Sequence, residues 1–284
     1  MKVAITGAGG LVGSTLVKRL TTDHEVLALK HADLDITNKQ AVHALLNQTH
    51  PDLVVNCAVL NVDECETDPA KAQSLNIDGP GYLAEAANEI GAEIVHYSTN
   101  YVFDGEEEKL YTILDPAIPV NNYGRTKLEG EKAVMTANPR HYILRTSWVY
   151  GIGKENFLSI IHRQLKAGQR GKVVSDCWAS ATYVEDLVQR TSEIIDLHHY
   201  GIYQVVNEGI CSYVEFALEA GRLVGVKESD ARELLELIRD ADIKRPAKRP
   251  RYTPMRCLLS EQVGLRPLRH WKEALADYLK TSMD

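Results

Sequence analysis

No apolar run in the chain approaches the roughly 18 residues that a membrane-spanning helix needs. There is no CxxC and no paired zinc spacing; five cysteines stand apart at positions 57, 65, 177, 211 and 257. That scatter fits buried, reduced thiols in a cytosolic protein. Positive charge is not in excess either: the formal net charge is −7. No broad basic surface is implied, which argues against general nucleic-acid binding. The N-terminus lacks the charged n-region and apolar h-region of a signal peptide and enters a strand-like run at once. No repeat period or low-complexity tract is visible. The histidines offer no metal constellation: His96 and His141 sit in strand patterns, and His198 and His199 are helix-end neighbours that point apart. The expectation is a cytoplasmic protein with no membrane partner, no nucleic-acid partner and no metal site.

The 284 residues, 44% hydrophobic and 25% charged, can bury a substantial core. Aliphatic runs KVAIT (2–6), EVLAL (25–29), DLVVNCA (52–58), AEIVHYS (92–98) and HYILRTS (141–147) read as strands. Between them LVGSTLVKRL, KQAVHALLNQ and PAKAQSLNIDGPGYLAEAANEI read as helices, the last interrupted near Gly79–Gly81. Strands alternating with helices predict an α/β fold, a Rossmann-type doubly wound parallel sheet. The alternation loosens after residue 150. Residues 1–150 are expected to form the dinucleotide-binding domain, completed by 183–205. Segments 151–182 and 206–284 are expected to form a smaller C-terminal substrate-binding lobe that includes the basic strip KRPAKRPR (244–251).

GAGGLVG places glycines at 7, 10 and 13 directly after the first strand and at the opening of a helix. Without a Cβ the backbone can turn sharply and approach a pyrophosphate, whose charge suits the free N–H groups of the helix. An acidic residue at the end of the second strand usually binds the ribose hydroxyls of NAD. Here Lys30 and His31 stand in that neighbourhood. A cation favours a 2′-phosphate, so NADPH is the expected cofactor with NADH still open; a solvated surface lysine is the competing reading of Lys30.

In NNYGRTKLEGE (121–131), Tyr123 and Lys127 lie four apart and share a helix face. Tyr150 and Lys154 in YGIGK have the same spacing, but the intervening glycines disfavour a helix there. Thr99 lies just past the end of the fourth predicted strand, where open α/β sheets carry ligands. A ketone reductase needs a proton donor beside its hydride source. Tyrosine is a sluggish acid near neutrality unless its phenolate is stabilised. A lysine one turn away supplies positive charge and a threonine hydroxyl shares the hydrogen bond. Thr99, Tyr123 and Lys127 are the expected catalytic unit.

The glycine entry, together with YSTNYVFDG (97–105), NNYGRTKLEGE and LRTSWVYG (144–151), resembles the extended short-chain dehydrogenase/reductases. Within these it is similar to the dTDP-4-dehydrorhamnose reductases, and the likeness runs nearly the length of the chain. The resemblance implies reduction of the C4 ketone of dTDP-4-dehydro-β-L-rhamnose to dTDP-L-rhamnose by NADPH or NADH. It implies Tyr123 as proton donor, Lys127 as its electrostatic partner and ribose ligand, and Thr99 as its tuner. Gly7, Gly10, Leu11 and Val12 would meet the pyrophosphate, Asp35 and Ile36 the adenine, and Ala58, Val59 and Leu60 the nicotinamide half. Thr99, Asn100 and Trp148 would face the sugar, and Arg249 the diphosphate, unless Arg249 belongs to a solvated basic strip. A homodimer is an open possibility.

Two departures bear on the substrate. Asn100 stands where the family usually has Asp, and Cys177, Ala179 and Ala181 replace its usual Gln, Gly and Pro. A related 4-keto-6-deoxy sugar nucleotide, or reduction from the opposite face to the 6-deoxy-talose epimer, is the enzymatic alternative. A non-catalytic subunit resembling the regulatory subunit of methionine adenosyltransferase is the alternative of another class; the intact Thr99, Tyr123 and Lys127 disfavour it.

Overall fold

β-branched and aliphatic side chains suit a pleated surface packed on both sides, and the short Val/Ile/Leu runs form the strands for that reason. The computed structural model describes residues 1–283. In it β1 (Lys2–Thr6), β2 (Glu25–Leu29), β3 (Leu53–Asn56), β4 (Glu93–Thr99), β5 (His141–Thr146) and β6 (Gly201–Gln204) form one sheet, ordered β6-β5-β4-β3-β1-β2. Every neighbouring pair is parallel. All of β3 is buried, as a central strand covered on both faces must be.

The helices that cover the sheet are α1 (Leu11–Leu20), α2 (Lys39–Thr49), α3 (Gly79–Glu89), α4 (Asn122–Ala137) and, packed on α1, α6 (Val184–Asp196), whereas α5 (Phe157–Lys166) packs on the later helix Tyr213–Leu223. Alternate strand residues point to opposite faces. Val3, Ile5, Val55, Val95 and Leu144 pack with Leu16 of α1 and Leu187 of α6. Ala4, Val54, Ile94 and Ile143 pack on the other face with Val42 and Leu46 of α2 and Leu83 of α3. Each such leucine stabilises the fold by about 1.5–3 kcal/mol on burial.

The chain runs from β1 to β2 on one side and then crosses back to β3. The strand order therefore reverses between β1 and β3, and the crevice outside their carboxyl ends is where such sheets bind ligands.

The helical stretch 69–90 departs from expectation. The irregularity lies ahead of Gly79, as a π-helical turn at Ser74–Asp78, and α3 then runs unbroken from Gly79 through Gly81. Pro80 falls in the first turn of α3, where a missing N–H is tolerated. The wide turn directs Asn76 inward. Its Oδ1 accepts from the Leu60 N–H at 3.0 Å, and its Nδ2 donates to Thr126 Oγ1 of α4 at 3.1 Å.

Beyond α4 and β5, α7 (Tyr213–Leu223) and α8 (Trp271–Met283) supply Phe216, Trp271 and Leu275 to the same core as β5 and α1. Gly171–Val174 pairs with Leu235–Ile238 in a separate two-stranded unit. A strap at 251–256 then returns to the end of β4: the Tyr252 N–H donates to Gly105 O (3.2 Å), Thr253 to Trp178 O (2.9 Å), and Tyr111 to Pro254 O (2.8 Å).

Candidate active site

Gly7 follows β1 with φ of +66°, and a Cβ there would lie 2.6 Å from the Ala58 nitrogen and the Cys57 carbonyl carbon. Only glycine lets the β1 and β3 exits approach this closely. The Gly10 N–H closes the turn on Gly7 O at 2.9 Å. Gly10 is the N-cap of α1 without a side-chain hydrogen bond, and the first turn holds no acidic residue. The free N–H groups around Leu11 and Val12 therefore suit an anionic diphosphate. The diphosphate of a dinucleotide fits this cradle of uncapped N–H groups.

Lys30, at the end of β2, is exposed, and its Cγ is 3.9 Å from where a Cβ on Gly9 would be. Its stem thus runs beside the glycine loop. Asp35 is exposed, and its carboxylate is held below its usual range by the Thr37 N–H and hydroxyl at 3.0 and 2.8 Å. The Ile36 side chain is turned inward against the position of Gly79. Of the strip after β3, Val59 is exposed, Leu60 is buried, and the Ala58 N–H donates to Asn56 Oδ1 at 3.1 Å.

Two local devices place Tyr123. Asn121 caps α4, its side chain accepting from the Gly124 N–H at 2.7 Å, and Glu66 receives the Asn122 N–H and Nδ2 at 2.7 and 2.8 Å. A Cβ on Gly124 would lie 2.1 Å from Tyr101 O, so glycine lets the helix start against the end of β4. The Tyr101 and Tyr123 rings meet edge to face at 5.8 Å. Burial pushes the Tyr123 hydroxyl above its ordinary range, and the Thr99 hydroxyl beside it pulls the other way.

Lys127 is 2% exposed. Its amine lies 2.6 Å from Tyr97 O and 3.2 Å from His96 Nε2 of β4, so both of its hydrogen bonds run into the sheet. Burial lowers it to about 8, against the opposing pull of Glu131. That carboxylate is itself held by Arg145 at 2.9 and 2.7 Å and by Ser98 at 2.5 Å.

The control pair separates as its glycines suggested. Tyr150 is buried among Tyr183, Phe216 and Tyr278, its hydroxyl has no partner, and Lys154 lies in an exposed turn.

Trp148 has φ of +43°, unusual for a residue with a side chain, and stacks on Tyr213 at 3.8 Å between ring centroids. Tyr213 also walls a cavity of about 650 Å³ with Phe157, Ile238, Lys244 and Arg245. A second crevice, of about 530 Å³, lies beyond β6 and contains none of the expected site residues. Asn100 is buried, its Nδ2 donating to Thr253 Oγ1 of the strap at 2.6 Å. Arg249 is committed within the chain: it grips the Asp63 carboxylate at 3.0 and 2.7 Å and Ala247 O at 3.0 Å, and so holds that carboxyl below its usual range. Tyr101, Tyr213 and Arg245 were not singled out from the sequence. Tyr101 lies within the YSTNYVFDG strip, Arg245 within the basic strip and Tyr213 within GIYQVVNEGICSYVEFA (201–217), a further stretch of the family likeness. His43, Glu85 and Glu89 form one surface group of metal-ligand types, but Lys39 and His43 already pair with the two carboxylates.

The model of the RmlD substrate binding domain matches residues 1–283. The chain belongs to this family. It is 40% identical over 281 residues to a dTDP-4-dehydrorhamnose reductase of Mycolicibacterium smegmatis, covering 97% of this chain and 84% of that one. Among solved structures, a dTDP-4-dehydrorhamnose reductase from Clostridium acetobutylicum superposes with a TM-score of 0.93, at 39% identity and full coverage of both chains. One from Bacillus anthracis in complex with NADP superposes at 0.92, with 30% identity and 99% coverage of both. Membership of the RmlD family carries the Rossmann-type oxidoreductase fold to this chain. Among the described residues no helix is long and apolar enough to cross a membrane.

Proposed function

We propose that this protein is an NADPH-dependent reductase that converts dTDP-4-dehydro-β-L-rhamnose to dTDP-L-rhamnose. One observation carries the reading. Tyr123 stands beside Thr99 at the carboxyl end of β4 and one helical turn from buried Lys127, in a sheet whose strand-order reversal carries a diphosphate cradle. The bound cofactor supplies the hydride. Tyr123 Oη gives its proton to the oxygen that was the C4 ketone, with Thr99 Oγ1 holding the phenol in place. The Trp148–Tyr213 stack and the cavity beside it shape the sugar-nucleotide pocket. Lys30 beside the glycine loop supports NADPH over NADH. Residues 1–150 with 183–205 serve the cofactor, and 151–182 with 206–284 serve the sugar nucleotide.

Asn100, Cys177, Ala179 and Ala181 favour a second reading at the level of the sugar alone, a related 4-keto-6-deoxy sugar nucleotide. The experiment is NADPH oxidation with a panel of 4-keto-6-deoxy sugar nucleotides, with the product's C4 configuration assigned by NMR. Turnover of the rhamnose precursor to the L-rhamno product supports the first reading. Preference for another sugar supports the second. No turnover on any of them refutes the reductase.

A further inference from the structure

Behind Lys127 runs a buried hydrogen-bond chain whose polarity can be assigned atom by atom. The Ala58 backbone N–H, which can only donate, points to Asn56 Oδ1 at 3.1 Å, and the Thr6 hydroxyl donates to the same oxygen at 2.8 Å. The Asn56 amide is thereby oriented, and its Nδ2 lies 3.1 Å from His96 Nδ1. An amide nitrogen only donates, so His96 Nδ1 accepts, and the neutral ring keeps its proton on Nε2. That Nε2 faces Lys127 Nζ at 3.2 Å.

An ammonium has three donors and no acceptor. A charged Lys127 in this position would set two donors against each other at His96 Nε2. Moving the ring proton to Nδ1 shifts the conflict to Asn56 Nδ2, and an imidazolium suffers both. A neutral amine removes it: the lone pair accepts from His96 Nε2–H while an N–H donates to Tyr97 O. Burial acts in the same direction on both groups, lowering Lys127 and keeping His96 below its ordinary value.

The other groups facing the amine do not reverse this. Glu131, one turn along α4, raises it but is shared with Arg145 of β5 and Ser98 of β4. Cys57, after β3, and Cys65, on the short helix Glu64–Thr67, are thiols that burial pushes up, so they stay uncharged. Tyr123, on the same helix, is pushed up as well.

We propose that His96 is a positioning residue that holds Lys127 as a neutral hydrogen-bond acceptor in the cofactor-free enzyme, so that the amine takes up a proton from solvent only as it leaves His96. The cofactor's ribose hydroxyls offer acceptors to the charged form, and binding is therefore coupled to proton uptake. The inference rests on the proposed placing of Lys127 in the dinucleotide site, and its test needs no sugar turnover.

The first measurement is the imidazole ¹⁵N spectrum of the cofactor-free protein across neutral and alkaline pH. The expected result is a neutral His96 with its proton on Nε2, whose shifts follow a titration at or below about pH 8. A proton on Nδ1, or an imidazolium at neutral pH, overturns the proposal. The second is NADPH affinity against pH, by fluorescence, for wild type and His96→Gln. The Gln side-chain oxygen can accept from an ammonium, so the break in the affinity profile should move up by about one pH unit. Coincident profiles overturn the proposal. If His96→Gln does not fold, the ¹⁵N spectra decide alone. Failure of sugar turnover with both results intact would fall on the proposed substrate.

Discussion

Replacing Lys127 by methionine should change how stability depends on pH. Burial holds the Lys127 amine down at about 8 in the fold, against about 10.5 in the unfolded chain, and that difference corresponds to about 3 kcal/mol. Because the side chain is buried, solvent screening takes little from that figure. Below about pH 8 the native amine can hold a proton only by giving up its bond to His96, so folding bears the whole cost of that break and of burying a charge. Between about 8 and 10.5 the native protein has lost the proton and the unfolded chain still holds it. The unfolded state then binds more protons, so wild-type stability rises with pH through this window. Methionine keeps the apolar stem and removes the titration. It also leaves Tyr97 O and His96 Nε2 without a partner, a pH-independent cost of about 1–3 kcal/mol. Urea unfolding followed by circular dichroism, in half-unit steps across the window, gives the difference between the two proteins; the other titrating groups are common to both. The wild type should gain about 3 kcal/mol on the variant from the acid to the alkaline end. A flat difference would refute the burial argument for Lys127.

Tyr123→Phe should still bind NADPH while kcat falls by about 10²–10⁴-fold, the usual loss for a positioned general acid, measured as single-turnover NADPH oxidation. Tyr150→Phe, at the control site, removes a buried hydroxyl without a partner; turnover should stay near wild type and stability should hold or rise by up to about 1 kcal/mol. Lys30→Asp should narrow the preference for NADPH over NADH by about 1 kcal/mol, because Lys30 is exposed and its charge is screened; unchanged relative affinities would show that Lys30 is a bystander. Asn100→Asp removes the donor to Thr253 and should alter KM or the choice among 4-keto sugars at unchanged NADPH affinity. Wild-type kinetics on every sugar would place Asn100 outside the pocket.

Two stretches could be read from sequence because their signals are local. The β1–glycine–α1 entry is a strand, a turn that excludes Cβ, and a helix, all within residues 2–20. Tyr123 and Lys127 follow from a four-residue spacing on one helix face, and the structure adds the Asn121 cap that starts the helix. The π-turn before Gly79 was not legible, because what it accomplishes, aiming Asn76 at Leu60 and Thr126, involves partners 16 and 50 residues away. Arg249 shows the same limit from the other side. Its basic strip suggested a free cation for a diphosphate, but chain reversal brings Asp63, 186 residues distant, onto it.

By itself the sequence determined the parallel α/β class, the glycine turn after β1 and the placing of Tyr123 and Lys127 on one helix, since periodicity and glycine placement act within a few residues. Only the tertiary structure decided what surrounds Lys127. As a residue in a strand pattern, His96 looked like ordinary core. The parallel register sets Asn56 beside His96 and Thr6 beside Asn56. Three strands thus meet in one buried chain of donors and acceptors, and its polarity depends on which atoms adjoin across the sheet.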